Sequence, residues 1–146
     1  MLHPYKNKYL PACVELFIAA FSAPPLSYDF IDHINTRRYL RDLTHTPGFA
    51  GYIYETSDII AAFCFGAVDD YFHAPSYEIK ELAVSPALHG KGIGTDFMMQ
   101  LETHLIKKGI AAVTLTTSST IPAYHFYRKL GYTSTEENVA LTKKLS

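Results

Sequence analysis

The sequence lacks the features that mark a disulfide framework, a metal centre or a membrane segment. It contains two cysteines, and without a secretory signal Cys13 and Cys64 are expected to be small buried hydrophobic residues. The seven histidines show no metal-ligand spacing, so no metal is expected. The longest apolar stretches, such as residues 59–68, are far too short to span a membrane. The first five residues form no signal-peptide apolar region, so the expected location is cytoplasmic.

Charge of one sign is also scarce. The formal net charge is −1, the sequence pI is near 6.6, and no run of Lys or Arg is longer than two. Nucleic acid and an anionic membrane surface are therefore poor candidate partners. With 146 residues, of which 48% are hydrophobic, the chain is expected to form a single domain over residues 1–146, as a monomer or homodimer.

What the sequence does contain is a glycine-rich turn between a strand and a helix. Apolar residues precede Gly90, Gly92 and Gly94, and a helical pattern follows them. Glycines can take the backbone angles that aim successive N–H groups at one point, and the helix dipole adds to the attraction for an anion. The turn therefore predicts a site for a phosphate-bearing cofactor, although a helix start with glycines for close packing would look similar.

The spacing excludes the two best-known phosphate loops. A P-loop ends in Gly-Lys-Ser/Thr, whereas here Lys91 is followed by Gly92. A dinucleotide fingerprint that starts at Gly92 would need a glycine at position 97, where the chain has Phe97. Another class of phosphate-bearing cofactor is therefore indicated.

The turn resembles motif A of the GNAT superfamily of acyl-CoA-dependent N-acetyltransferases, Val-x-Pro-x-x-Arg/Gln-Gly-x-Gly-x-Gly/Ala. The matching residues are Val84, Pro86, Gly90, Gly92 and Gly94. His89 replaces the usual Arg or Gln, and a neutral imidazole that donates one hydrogen bond is a weaker substitute.

A second segment, residues 120–132, resembles motif B of the same superfamily, Asn-x-x-Ala-x-x-Phe/Leu-Tyr-x-Lys-x-Gly-Phe/Tyr. Thr120 replaces the usual Asn. Pro122 suits the first turn of a helix, and Gly131 suits its left-handed C-terminal cap. The two motifs occur in the family's order and at its separation.

The resemblance implies that acetyl-CoA is the cofactor, held largely by backbone groups near both motifs. The expected cofactor-binding residues are Leu82, Ala83, Val84, His89, Gly90, Lys91, Gly92, Ile93, Gly94, Thr95, Pro122 and Tyr124.

The expected chemistry requires a base and an acid. A primary amine with a pKa of about 10.4 is neutral in roughly one molecule in a few thousand at pH 7, so its attack on a thioester needs a general base. Glu81 is the first candidate and Glu78 the second. Their odd separation places them on opposite faces of a regular strand, although a bulge would change the choice and Lys80 could simply pair with either. The resemblance implies that Tyr127 is the general acid for the CoA sulfur, the alternative being a packed helix tyrosine.

The acceptor is less well specified. Tyr28 and Asp29 precede a helical region, and Tyr71 lies in a loop that would border the cleft of this fold. Acidic and aromatic residues suit a cationic amine, but they are also ordinary turn residues.

Periodicity predicts an α+β protein with one βαβ unit. The resemblance implies the three-layer GNAT fold, with a mixed, mostly antiparallel sheet flanked by helices in the order β-α-α-β-β-β-α-β-α-β. The predicted strands are 1–5, 49–55, 59–68, 77–84, 111–117 and 139–145, and the predicted helices are 8–21, 29–45, 93–109 and 122–130.

The resulting hypothesis is an N-acetyltransferase that moves an acetyl group directly from acetyl-CoA to a primary amine of a small molecule or peptide. Two alternatives stay open at this point. One is a non-catalytic acyl-CoA-binding or sensor domain, and the other is a general nucleotide-binding module built on the same turn.

Overall fold

The computed structural model describes every residue except Tyr71 and His73. The predicted acceptor residue Tyr71 therefore lies outside the described residues. The chain divides into two compact units, Met1–Thr116 and Thr117–Ser146, and each has its own architecture.

The first unit is built on a five-stranded sheet with the order β1-β2-β3-β4-β5. Neighbouring strands are antiparallel, except that β5 is parallel to β4. The helix between β4 and β5 makes this parallel pair possible, since parallel neighbours require a crossover connection. The strands are β1 Leu2–Pro4, β2 Phe49–Thr56, β3 Ile59–Asp69, β4 Ser76–Val84 and β5 Ala112–Leu115, and the helices are α1 Leu10–Ser22, α2 His33–Thr44 and α3 Ile93–Lys107.

The hairpin predicted at residues 56–58 is confirmed. Ser57 and Asp58 connect β2 to β3 and have φ angles of 49° and 63°. Two consecutive positive φ angles are typical of the tight turn whose twist matches that of the flanking strands.

The two faces of the sheet carry different helices. Ile53 on β2 belongs to a buried cluster with residues of α1 and α2, whereas the ring of the adjacent Tyr54 lies 5.6 Å from that of Phe97 on α3. Since neighbouring strand residues point to opposite faces, α1 and α2 cover one face and α3 covers the other. The buried cluster consists of Leu10, Cys13, Val14, Leu16, Phe17, Leu40, Ile53, Phe63, Phe65 and Ala83.

Both cysteines are buried and free, as the sequence predicts. Burial raises the pKa of each thiol to about 12. A thiol in that state is protonated at neutral pH and is a poor nucleophile.

Helix α2 begins later than the predicted residue 29. The carboxylate of Asp32 accepts a hydrogen bond of 2.7 Å from the backbone N–H of Asn35, so Asp32 is the N-cap and the helix starts at His33. A carboxylate at this position satisfies an N–H group that has no partner inside the helix. Asp29 therefore lies in the loop before α2.

The second unit contains one helix, α4 Pro122–Lys129. Pro122 stands in its first turn, as predicted. Gly131 has a φ of 97°, and the N–H of Tyr132 donates to the carbonyl of Tyr127 at 3.0 Å. This six-residue bond around a left-handed glycine ends the helix in the expected way.

The strand predicted at residues 139–145 is wrong. The segment is neither strand nor helix, and the side chains of Val139, Leu141 and Leu145 are 71%, 90% and 89% exposed. Its alternating apolar residues suit a strand, but a strand needs a neighbour for its backbone groups. The described unit Thr117–Ser146 offers no other strand.

The predicted α+β class is confirmed, with a mixed and mostly antiparallel sheet flanked by helices. Among the described residues, no helix has the length and apolar character needed to cross a membrane.

Candidate active site

The glycine-rich turn has the predicted position between a strand and a helix. β4 ends at Val84, and a 3₁₀ turn at Pro86–Leu88 follows it. Gly90 and Gly92 have φ angles of 79° and 74°, and Gly92 is the N-cap of α3. Both glycines use backbone angles that other residues adopt at a cost.

The space in front of this turn is open. A Cβ atom built on Gly90 or Gly92 would meet nothing within 4 Å. Because Gly92 has no side chain, it supplies no capping acceptor, and the N–H groups of the first helical turn are available to an external anion. His89 and Lys91 are exposed beside it. The geometry suits an anion such as a pyrophosphate.

The sheet divides beside the second half of β4. β3 pairs with β4 along its whole length to Val84, whereas β5 pairs with β4 only from Ser76 to Ile79. In the described part of Met1–Thr116, residues 80–84 thus have a strand neighbour on one side only. Their remaining backbone groups, including those of Leu82 and Ala83, can pair with an extended ligand.

A β-bulge in β4 changes the orientation of the two candidate bases. Glu81 lies opposite Phe65, but Ile79 lies opposite Gly66, so Lys80 is an extra residue. Glu78 lies opposite Ala67, two positions from Phe65 on β3. Residues two apart on a regular strand share a face, and Glu78 and Glu81 therefore lie on the same face. The expectation of opposite faces is wrong, because it assumed a regular strand.

Gly66 permits this local geometry. A Cβ atom at Gly66 would overlap the carbonyl oxygen of Glu78 and lie 2.5 Å from Cζ of Tyr77. Tyr77 is fully buried, and its hydroxyl donates to the carbonyl of Ala50 at 2.7 Å. Neither the backbone of Glu78 nor the fixed ring of Tyr77 can easily move away.

Glu81 occupies an environment that suits a general base. It is half-buried, and its Oε1 accepts a hydrogen bond of 2.6 Å from the hydroxyl of Tyr39 on α2. Burial raises the pKa of Glu81, and the bond from Tyr39 partly lowers it. Burial and the contact with Glu81 in turn raise the pKa of Tyr39. The carboxyl is thereby moved toward the range in which it can exchange protons near neutral pH.

Glu78 has a different environment on the same face. Its Oε1 lies 2.7 Å from Nζ of Lys80, and both side chains are more than a third exposed. An exposed ion pair of this kind is a common surface feature with little effect on stability. Of the two carboxylates, Glu81 therefore has the more specialised environment.

Aromatic rings connect the predicted acceptor residue Tyr28 with Tyr39. We call Phe30, Tyr28, Phe21, Phe17 and Tyr39 the aromatic row. Successive ring centroids in this row are 5.2, 6.2, 4.4 and 6.2 Å apart. The row runs from exposed Phe30 and Tyr28 to the hydroxyl that contacts Glu81, and exposed Asp29 lies between its first two members in the chain.

A second polar network fixes the start of α3. The carboxylate of Asp96 accepts hydrogen bonds from the hydroxyl of Tyr54 and from Nε2 of Gln100. Oε1 of Gln100 accepts a bond of 3.0 Å from the N–H of Leu2. The first turn after Gly92 is thus tied to β1 and β2.

Sequence reasoning missed both the hydrogen bond from Tyr39 to Glu81 and the network around Asp96 and Gln100. The spacing of Asp96 and Gln100 is visible as a helical pair, but their strand partners carry no sequence signal. Tyr39 lies within the predicted helix 29–45, but nothing in the sequence indicates its contact with Glu81.

The predicted acid belongs to the second unit. Tyr127 lies in α4 and is buried, with ring contacts to Phe126 at 5.2 Å and Tyr132 at 5.4 Å. Pro122 and Tyr124, both predicted to bind the cofactor, lie in the first turn of the same helix. Glu78, Glu81 and the glycine-rich turn belong to the first unit.

Comparisons with known proteins identify a matching family model and related folds. The family model described as the acetyltransferase (GNAT) family matches residues 10–132. A comparison with curated protein sequences gives no match.

Solved structures share the fold at low sequence identity. An aminoglycoside acetyltransferase from an uncultured soil metagenomic sample, in complex with sisomicin, has a TM-score of 0.74 and 20% identity, over 100% of this chain and 96% of its own. An aminoglycoside 6'-N-acetyltransferase from Acinetobacter haemolyticus has a TM-score of 0.74 and 15% identity, over 100% and 99%. A possible acetyltransferase from Clostridium difficile 630 reaches 0.80 at 13% identity, over 100% and 98%.

Proposed function

Because the chain belongs to the GNAT acetyltransferase family, we propose that it transfers an acetyl group from acetyl-CoA to a primary amine of a small molecule or peptide. One observation carries the proposal. A single strand, β4, contains the half-buried Glu81, pairs along its second half with β3 alone among the described strands of Met1–Thr116, and leads into the glycine-rich turn. Base, extended binding edge and anion site thus follow one another along the chain.

The donor would bind along this path. The N–H groups at the start of α3 would hold its pyrophosphate. The backbone groups of residues 80–84 on the side away from β3 would pair with the amide-containing arm that ends in the thioester, which directs the thioester toward Glu81. His89 and Lys91 are close in sequence to the anion site and add donors there. Pro122 and Tyr124 of motif B also belong to the proposed cofactor-binding set.

The proposed reaction is a direct transfer without an acetylated enzyme. The acceptor ammonium gives a first proton to Glu81, the free amine attacks the thioester carbon, a C–N bond forms and the C–S bond breaks. Tyr127 returns a proton to the departing thiolate and regains one from the attacking nitrogen. A phenol has a pKa of about 10 and a thiol a pKa of about 8.5, so this proton transfer is closely matched.

The proposed acceptor is a cationic amine. Tyr28 and Asp29 combine an exposed aromatic ring and a carboxylate at the outer end of the aromatic row, which suits charge attraction and cation–π contact. Two structural neighbours are aminoglycoside acetyltransferases, so aminoglycosides belong in the test panel.

We also propose that residues 1–146 act as one catalytic domain, since the family match crosses both units. The proposed location is the cytoplasm, where acetyl-CoA would be available to the protein.

Two measurements test the proposal. Titration calorimetry should show that CoA binds more tightly than ATP or NAD. Release of free thiol from acetyl-CoA should then be followed with polyamines, aminoglycosides, arylalkylamines and peptides with a free N-terminus or lysine. CoA binding without thiol release for any amine would indicate the sensor function, and tighter binding of ATP or NAD would end the acetyltransferase proposal.

A further inference from the structure

The bond between Tyr39 of α2 and Glu81 of β4 joins two residues that are 42 positions apart in sequence. We propose that Tyr39 is a positioning residue for the base: its hydroxyl holds the Glu81 carboxylate in one orientation and in its ionised form, leaving the second oxygen for the acceptor amine. This inference rests on the proposed function. The bond uses Oε1 of Glu81, and a carboxylate has further acceptor sites on its other oxygen.

Helix α2 is a suitable support for such a residue. Thr36 and Leu40 are buried on its inner side, and the cap at Asp32 fixes where the helix begins. The ring of Tyr39 packs edge-on against Phe17 at 6.2 Å. The hydroxyl is therefore placed by a fixed helix and by a ring contact, and not by a mobile chain.

The hydroxyl of Tyr39 has no evident role in the core. The residue is 42% exposed, and its ring contact with Phe17 does not involve the oxygen. A phenylalanine at this position would keep the packing and remove the bond. The hydroxyl can thus be tested separately from the fold.

Several titratable or charged groups surround Glu81. Cys64 comes from β3, and its pKa is raised mainly by burial, with a smaller contribution from Glu81. Cys13 of α1 belongs to the buried cluster on the same face as Glu81. Glu78 lies on that face of β4 and is paired with Lys80. Among the described residues, Tyr39 is the one that donates a hydrogen bond to Glu81.

The direction of the effect follows from these contacts. Burial disfavours the charged carboxylate and raises the pKa of Glu81, whereas the bond from Tyr39 favours it and lowers the pKa. Loss of the hydroxyl should therefore raise the pKa. A larger share of the base would then be protonated, and inactive, at neutral pH.

The test compares Tyr39→Phe with the wild type and with Tyr9→Phe, which removes the hydroxyl of a tyrosine packed against the buried cluster that contains Phe17. In Tyr39→Phe, the acid limb of the kcat/KM profile should move up by about one pH unit, since a bond to a charged group contributes energy of that order. The rate at the wild-type midpoint should then fall about fivefold, with recovery at higher pH. Tyr9→Phe should keep the wild-type profile.

Two further measurements separate positioning from a structural role. In a Glu81→Gln background, Tyr39→Phe should cause no additional loss, because its effect passes through the carboxylate. Infrared titration of protein labelled with carboxyl-¹³C glutamate, with the Glu81 band assigned by Glu81→Gln, should show the same upward shift without any turnover.

The outcomes distinguish the inference from the proposed function. If Glu81→Gln is slow but Tyr39→Phe keeps the wild-type pH profile, or if Tyr39→Phe is equally harmful with and without Glu81, the positioning role is overturned while the function stands. The opposite outcome is that the wild type acetylates no amine while the infrared titration still shows a raised pKa of Glu81 in Tyr39→Phe. In that case the positioning of Glu81 by Tyr39 is supported and the proposed function fails.

Discussion

The sharpest test of the donor site is a pair of substitutions at the two ends of α3. Gly92 precedes the helix with a φ of 74°, and Gly109 follows it with a φ of 81°. A Cβ atom at either position meets nothing within 4 Å. Gly92→Asp and Gly109→Asp therefore add the same side chain in a similar backbone conformation, with open space around the Cβ atom in both cases, but only the first lies at the proposed pyrophosphate site.

The expected loss of stability is similar for the two variants. A left-handed conformation costs a residue with a side chain about 1 kcal/mol, which lowers the melting temperature of a domain this size by about 3 °C. The helix dipole adds a smaller difference between the two variants. It stabilises an acidic residue at the start of the helix and destabilises one at the end, by about 0.3 to 1 kcal/mol in each case. Gly92→Asp should thus be the more stable variant.

Only Gly92→Asp is expected to lose affinity for CoA. A carboxylate about 4 Å from a phosphate repels it by about 1 kcal/mol in water and about 4 kcal/mol near a protein surface. An intermediate value of about 2 to 3 kcal/mol weakens binding about 30- to 150-fold. Gly109→Asp should keep the wild-type affinity. The more stable variant would then be the one that binds CoA more weakly.

Calorimetric titration with CoA and thermal melting with and without CoA measure both effects, since a ligand that binds only the native state raises the melting temperature. Equal CoA affinity in Gly92→Asp and the wild type would refute a phosphate site at this turn. Equal loss in both variants would mean that disturbance of α3, and not charge at its first turn, weakens binding.

Three further predictions concern the chemistry and the bulge. Tyr127→Phe should keep the CoA dissociation constant and lower kcat by roughly ten- to a thousandfold if proton return to sulfur limits the rate; a changed dissociation constant with unchanged kcat would make Tyr127 a binding residue. Because burial raises the pKa of Glu81, wild-type activity should fall as the pH drops through that pKa. Glu81→Gln should lose activity most at neutral pH and recover part of it at high pH, where the free amine is abundant. Glu78→Gln should lose less activity. The reverse order in kcat/KM profiles would assign the base to Glu78. Gly66→Ala should destabilise the fold by about 1 to 3 kcal/mol, measured by urea unfolding, since its Cβ overlaps fixed atoms; a neutral result would show that the bulge adapts easily.

The sequence allowed much of the first unit to be predicted because its signals are local. Glycines and a two-residue turn specify their own conformations, and the glycine-rich turn and the 56–58 hairpin were both placed correctly. The bond from Tyr39 to Glu81 depends on how α2 packs on the sheet, and no local pattern encodes it. The strand predicted at 139–145 failed for the same reason, since alternation of apolar residues cannot supply a pairing partner.

The bulge in β4 shows that an odd or even sequence separation does not by itself give the face of the sheet on which a side chain lies. Every position after Lys80 points opposite to the direction that counting from Glu78 would give. Consider a relative whose corresponding strand has no bulge and is aligned with β4 from Glu78 onward without a gap. An acidic residue of that relative aligned with Glu81 would then face the opposite side of the sheet from Glu81. The determinant is an absent side chain on the next strand, since Gly66 leaves room for the displaced backbone. A survey of active-site residues restricted to polar side chains would pass over the glycine that orients them.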